Sequence, residues 1–325
     1  MKAATQVIRW VSPAKINLFL EILKKRPNGY HEIDTLFQEI SLADSLTVRV
    51  RRDKEILLST TCPGLVVDQG NLVSRAAHSF KAKYPLIPGL SFKLIKRIPL
   101  GAGLGGGSGN AATTLLACRS LSPAISQGKK EDRILLSLAK KLGADVPFFL
   151  RGGFASARGV GDRLTFYAPI KRRAYFFVLV FPRVFSSTPD AYRALHFPLT
   201  KRRSRLKLTQ ALRDGAPASQ WAPWLFNRLE EVVLPRIGAV ALAKRALIQA
   251  GCLNALMSGS GSSVFGLVEN PAHGRRVLAR LHREPWDSWL VSSASCRTKG
   301  PTNFDEVGHH GYYGNPGFVE GRRQT

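Results

Sequence analysis

Between Lys96 and Ala117 the chain reads KRIPLGAGLGGGSGNAATTLLA, with six glycines in the nine residues from Gly101 to Gly109. An apolar strand pattern (Leu90 to Ile98) leads into the glycines, and a helical pattern begins at Asn110. Glycines at a strand-to-helix junction let main-chain N–H groups and the positive helix end receive phosphate oxygens. Each glycine costs about 0.5–1 kcal/mol of backbone entropy relative to alanine, which a bare surface connection seldom needs. Gly101, Gly103 and Gly106 satisfy the dinucleotide spacing G-x-G-x-x-G. No Asp or Glu lies between Arg97 and Glu131, however, so the acid that would hold a ribose is missing. A P-loop is excluded as well, because Gly128-Lys129 lacks the leading glycine and the hydroxyl residue. Phosphate binding by another geometry is the chemistry left.

Other residue types invite chemistry. Lys15 and Asn17 sit in the apolar run SPAKINLFL; a lysine there is either at a strand edge or in need of a partner charge. Asp145 stands between the helix stop Gly143 and Pro147, among Ala144, Val146, Phe148 and Phe149. It reads as a functional acid, or as the N-cap of a short helix. Tyr30 and His31 follow the turn Pro27-Asn28-Gly29, placed to stack and hydrogen-bond, or simply to pack. A second glycine-rich turn, Ser258-Gly259-Ser260-Gly261-Ser262, offers hydroxyls and N–H groups to an anion or to another loop.

The elements that must position these groups alternate between the two periods. Strands are expected at 5–23, 45–51, 55–59, 90–98, 152–167 (broken by a glycine turn), 174–181, on either side of the 258–262 turn, and at 288–293. Helices are expected at 71–83 with Asn71 as N-cap, behind the glycine loop, at 131–142, after Ser186-Ser187-Thr188-Pro189, and at 205–213, 221–234, 236–250 and 272–283. The class is mixed α/β. A composition change near 168–172 marks a boundary.

With 325 residues, 44% of them hydrophobic, the chain can build two cores. No signal-peptide core opens it, and its longest apolar run, 174–181, is too short to span a bilayer, so a cytoplasmic enzyme with no membrane partner is expected. Cys62, Cys118, Cys252 and Cys296 form no C-x-x-C pair, which leaves no disulfide framework or zinc site. His309-His310 lacks neighbours to complete a metal site. The net charge of +26 raises nucleic acid as a partner, most strongly between Lys171 and Arg213, where Asp190 is the one acid. No zinc-finger, RNP-like or basic-zipper pattern accompanies it, so a generally basic surface is the expected reading.

Three blocks together resemble the GHMP kinases, a superfamily of small-molecule kinases: SPAKINLFL (12–20), PLGAGLGGGSGNAAT (99–113) and MSGSGSSVFGL (257–267). RPNGYHEIDTLFQEISLAD (26–44) and LGADVPFFLRGGFASARGVGDRL (142–164) are similar to the branch acting on 4-diphosphocytidyl-2-C-methyl-D-erythritol in non-mevalonate isoprenoid biosynthesis. The resemblance covers about residues 9–293. It implies an α/β (α+β type) protein of two lobes, a ribosomal S5 domain 2-like ATP-binding lobe (1–168) and a ferredoxin-like lobe (169–297), with 298–325 a disordered tail. The implied reaction is ATP-dependent phosphorylation of the 2-hydroxyl of that small-molecule substrate, with Mg2+. Mevalonate, homoserine or sugar kinases are the alternatives within the superfamily, and a basic nucleic-acid-binding protein on the same fold is the alternative outside it.

The resemblance makes Asp145 the general base with Lys15 as its partner. It assigns Pro99, Gly101, Gly103, Leu104, Gly105, Gly106, Gly107, Ser108, Asn110 and Asn71 to ATP, with Ser108 a candidate Mg2+ ligand. It assigns Asn17, Tyr30, His31, Val160, Thr188 and Tyr192 to the substrate, with Tyr30 and Tyr192 stacking and His31 bonding a cytosine edge. Three positions depart from the family pattern: Gly109 for a serine, Leu256 for an arginine, and Arg228 for an acid.

Overall fold

The computed structural model describes residues 7–122, 128–168, 173–196 and 203–294. The tail expected at 298–325, His309-His310, Cys296 and most of the boundary at 168–172 lie outside them. In chain order the elements are β1 (Val7–Lys25), β2 (His31–Val50), β3 (Ile56–Thr60), α1 (Leu72–Lys83), β4 (Leu90–Ile95), α2 (Gly106–Ser120), α3 (Lys129–Leu142), α4 (Val146–Phe149), β5 (Phe154–Gly159) and β6 (Arg163–Phe166). The second half adds β7 (Phe176–Phe181), α5 (Thr188–Arg193), α6 (Leu206–Arg213), α7 (Ala218–Trp221), β8 (Phe226–Asn227), α8 (Glu230–Val233), α9 (Gly238–Gln249), β9 (Asn254–Met257), β10 (Val264–Val268), α10 (Pro271–Arg280) and β11 (Asp287–Ser292). Among the described residues no helix is long and apolar enough to cross a membrane.

The strands form two sheets. One has seven strands along the path β3-β4-β2-β1-β8, with β5 on β2 and β6 on β5. The other is antiparallel with the order β11-β7-β10-β9. With α9 ahead of β9 and α10 ahead of β11, that second lobe has the ferredoxin-like βαββαβ succession. Ile16, Leu18 and Ile98 of the first lobe share one buried cluster with Phe177, Leu179, Trp221, Leu256 and Phe265, so a common core joins the lobes.

Two stretches differ from expectation. Residues 31–44 belong to the long strand β2, which is buried on both faces along much of its length and so shows no clean alternation. The helix expected at 221–234 is broken into α7, a 3-10 turn at Ala222–Trp224, β8 and α8. Pro223 interrupts it, and Phe226 and Asn227 pair in parallel with Phe19 and Leu20 of β1. Strand β1 also shifts register between Asn17 and Phe19, so Ile16 and Leu18 face the shared core while Leu20 and Ile22 face the second lobe's own core.

The basic stretch before α6 is partly internal. Arg205 donates Nε to Asp34 Oδ1 at 2.7 Å and its side chain is 8% exposed. The Arg203 N–H donates to Glu21 Oε2. Arg228 donates to both oxygens of Glu21, at 2.7 and 2.8 Å, and to Glu231 at 2.5 Å. The Glu21 side chain is fully buried, so the arginine at 228 neutralises an acid that has no access to water. Replacing Arg228 with leucine should lower unfolding free energy by about 3–5 kcal/mol in denaturant titration. The double change with Glu21→Leu should recover most of that loss; an unshifted single variant would show that the pair carries no stability.

Candidate active site

The glycine loop connects β4 to α2, and its glycines are placed by close approach. Gly103 (φ +73°) lies so near the second lobe that a Cβ would stand 2.2 Å from the Ser258 carbonyl oxygen. Gly105 (φ +70°) is the residue before α2, and a Cβ on it would meet the Phe149 ring at 2.9 Å. Helix α2 therefore starts at Gly106, with Gly107 and Ser108 in its first turn at the positive end of the dipole. Main-chain bonds hold the loop on both sides: the Lys15 N–H donates to Leu104 O at 2.9 Å and the Ser263 N–H to Ala102 O at 3.2 Å. The Ser258 hydroxyl donates to Gly103 O at 3.0 Å. The serine-glycine turn thus serves another loop, one of the two roles open to it from sequence. Pro99 is half-buried at the loop's entrance.

Lys15 and Asp145 meet in front of this loop. The Lys15 ammonium lies 3.6 Å from Asp145 Oδ2, with side chains 5% and 32% exposed. Asp145 precedes α4 but makes no side-chain capping hydrogen bond, so its carboxylate is not committed to the helix. Lys15 also donates to Asn17 Oδ1 at 2.6 Å and stands over the Phe37 ring. Asn17 passes the chain on through Nδ2 to Thr35 Oγ1 at 2.9 Å, which fixes its amide. From the second lobe Gly259 comes close, where a Cβ would be 3.5 Å from the Lys15 ammonium. A carboxylate held beside a buried cation, open on one side, is an arrangement suited to taking a proton.

Behind the loop a cavity of about 480 Å3 is lined by Val66, Asn71, Lys96, Leu100, Gly107 and Asn110, among others. Of the residues assigned to ATP, Asn71, Gly107 and Asn110 border it. Asn71 caps α1 by accepting from the Val73 N–H at 2.9 Å and donates to Val66 O at 2.8 Å. Asn110 is buried and donates to Ser12 Oγ and to Asp44 Oδ2. Asp44 is a hub that residue types alone did not reveal. Its fully buried carboxylate pairs with Lys96 and accepts from the main-chain N–H groups of Arg97 (2.7 Å) and Ile98 (2.9 Å). Lys96, directly ahead of the glycine loop, is a second residue that the sequence reading passed over.

The residues assigned to the cytosine gather on the other side. The His31 and Tyr192 rings are 5.0 Å apart at 36°. Tyr30 leaves 64% of its surface exposed at the tip of the Pro27-Asn28-Gly29 turn. Burial raises the Tyr192 phenol, and the Asp145 carboxylate raises it further, which ties this side to the acid. Val160 is half-buried and its N–H donates to Asp162. Thr188 shares a 2.6 Å hydroxyl contact with Ser260.

The departures from the family pattern have local reasons. A side chain at Gly109 would place Cβ 2.8 Å from Pro13 O, so α2 packs on β1 more closely than serine allows. Leu256 is buried in β9 opposite Phe265, within the shared core. Among the described residues no three His, Cys, Asp or Glu cluster as a metal site. A divalent cation at such a loop relies chiefly on phosphate oxygens and water, and the half-buried Ser108 in the first turn of α2 fits as one further oxygen.

Comparison with known proteins identifies the family. Residues 71–153 match the GHMP kinases N terminal domain and residues 207–288 the GHMP kinases C terminal domain. The chain is 40% identical over 283 residues to the 4-diphosphocytidyl-2-C-methyl-D-erythritol kinase of Pelotomaculum thermopropionicum, covering 85% of this chain and 94% of that protein. A crystal structure of a 4-(cytidine 5'-diphospho)-2C-methyl-D-erythritol kinase superposes with a TM-score of 0.74 at 35% identity, covering 89% of this chain and all of that one. A homoserine kinase from Cytophaga hutchinsonii shares the fold at a TM-score of 0.68 and 20% identity, over 92% of this chain and 98% of its own.

Burial first, and the Lys25 charge second, lower the His31 pKa below its usual value of 6.5. The folded state therefore holds this proton more weakly than the unfolded chain, and the linked stability falls as pH drops below about 6.5. An NMR titration should find the imidazole midpoint under 6.5, moving upward in Lys25→Gln. A midpoint at or above 6.5 would contradict the described surroundings.

Proposed function

This chain belongs to the GHMP kinases and, within them, to the 4-diphosphocytidyl-2-C-methyl-D-erythritol kinases, and we propose that it transfers the γ-phosphoryl group of ATP to the 2-hydroxyl of that substrate. The observation that carries the mechanism is the Lys15–Asp145 pair, placed between the glycine loop and the Gly259 turn. The reaction is a step of non-mevalonate isoprenoid biosynthesis.

Asp145 takes the proton of the substrate hydroxyl as its oxygen bonds to the γ-phosphorus and the bond to ADP breaks. Lys15, 3.6 Å from the carboxylate, orients it. Catalysis then rests on position and electrostatics, as phosphoryl transfer generally does. Gly103 to Ser108 offer main-chain N–H groups, and the start of α2 adds its dipole to the charge that develops on the phosphoryl oxygens. Magnesium, when bound, would neutralise phosphate charge, and the Ser108 hydroxyl would be the candidate to hold it from the protein side. Asn71 and the wall near Val66 and Lys96 hold the adenosine end.

The base-recognition side supports the cytidine substrate over mevalonate or homoserine, neither of which carries a ring to stack. Tyr30 and Tyr192 enclose the cytosine, and a neutral His31 can both donate and accept at its edge. Asn17, Val160 and Thr188 line the path from base to hydroxyl. Within the basic stretch that raised a nucleic-acid role, Arg205 is committed to the internal acid Asp34.

ADP release with 4-diphosphocytidyl-2-C-methyl-D-erythritol, with mevalonate and homoserine as controls, tests this reading. Turnover is expected with the cytidine substrate alone, and Asp145→Asn should lower kcat by about 10²–10⁴-fold. Its melting temperature should stay near that of the wild type. Turnover with a control instead would remove the cytosine site, and an active Asp145→Asn would remove the base.

A further inference from the structure

Phe185 rests on the glycine loop and takes no part in the mechanism above. It is 74% exposed, yet a Cβ on Gly101 would lie 2.8 Å from Cδ2 and 3.0 Å from Cε2 of its ring. Gly101 itself has a φ of +64°. An exposed phenylalanine is ordinary in isolation. This one is carried on a backbone strap fastened on both flanks.

On one flank Arg183, at φ +56°, pairs through both Nε and Nη2 with Asp287. Next to it, Val184 O accepts from the Ser262 hydroxyl. On the other flank the Ser186 hydroxyl donates to Ser260 O at 2.5 Å, and Thr188 meets the Ser260 hydroxyl. The strap is thus tied to the serine-glycine turn that also holds Gly103. A left-handed arginine is strained, and the surrounding bonds must offset that. The neighbour of Gly101, Leu100, is 47% exposed and borders the cavity behind the loop.

We propose that Phe185 is a positioning residue for phosphoryl transfer. It presses on Gly101 to fix the entry to the glycine loop, and it screens the triphosphate from water so that the substrate hydroxyl is the acceptor. The inference rests on the reading of that loop as the ATP site. In the competing reaction a water oxygen bonds to the γ-phosphorus, ADP leaves, and the water proton passes to Asp145; the ring disfavours it by covering the entry of the glycine loop at Gly101. An apolar ring on a fixed strap is costly to leave in water and gains contact area when ligand fills the cleft.

Phe185→Ala and Phe185→Leu in the full chain test this, with ADP and phosphorylated product quantified separately. For Phe185→Ala the KM for ATP should rise about five- to tenfold, the loss expected for an aromatic contact. ADP formed without acceptor should increase several-fold, while the KM for the cytidine substrate stays within about twofold. Phe185→Leu should restore most of both, and neither variant should melt earlier. An unchanged KM for ATP with an unchanged ADP-to-product ratio would overturn the proposal. So would a rise confined to the cytidine substrate, which would give the ring to the acceptor side. Binding of a non-hydrolysable ATP analogue to wild type and Phe185→Ala reads the same contact independently of the acceptor. Failure of the cytidine substrate in the wild type would therefore count against the proposed function and leave this test standing.

Discussion

A side chain at position 103 would collide with the main chain of the opposite lobe, and much of the site follows from that closeness. Because Gly103 is bare, Ser258 can hold its carbonyl and the second lobe can bring Gly259 up to Lys15. Backbone meeting backbone gives a rigid cradle with few side chains to order, which suits a site whose catalytic effect comes from fixed dipoles. The entropic penalty of glycine is incurred here on folding and not again at each turnover.

Buried charge is the second constraint, and the chain resolves it with paired networks. Asp44 ties the exit of β4 to α2 through Lys96, Asn110 and two main-chain donors. Glu21 ties β1 to the segment after β8 through Arg228. Each acid joins elements remote in sequence, Asp44 within the first lobe and Glu21 between the two lobes. Lys15 differs because its acid remains partly open, as the proton transfer proposed for this pair requires.

Elements with local causes were legible in the sequence. The glycine loop, Asn71 as N-cap of α1, the run of β7 and the Pro27-Asn28-Gly29 turn each rest on residues a few positions apart. What escaped was set by distant partners. The first half of β2 has no clean polar alternation because both its faces are covered. The apolar spacing at 221–234 is helical in pattern, yet pairing with β1 takes Phe226 and Asn227 into a strand. The Lys15–Asp145 meeting spans most of the first lobe, and the resemblance to a family, not spacing, suggested it. Asp44 and Lys96 gave no local signal, since their partners come from β2, the segment after β4 and α2.

The two-residue strand β8 reaches across from the second half of the chain to lie beside β1. The sheet that carries Lys15 therefore gains its outer neighbour only after some two hundred further residues have been synthesised. During translation the first lobe must wait with that edge of β1 uncovered, a state prone to pairing with other chains. The sequence boundary between lobes is thus not a boundary in folding, and this kinase is made as one piece, the strand that carries Lys15 closed by one of the later parts to arrive.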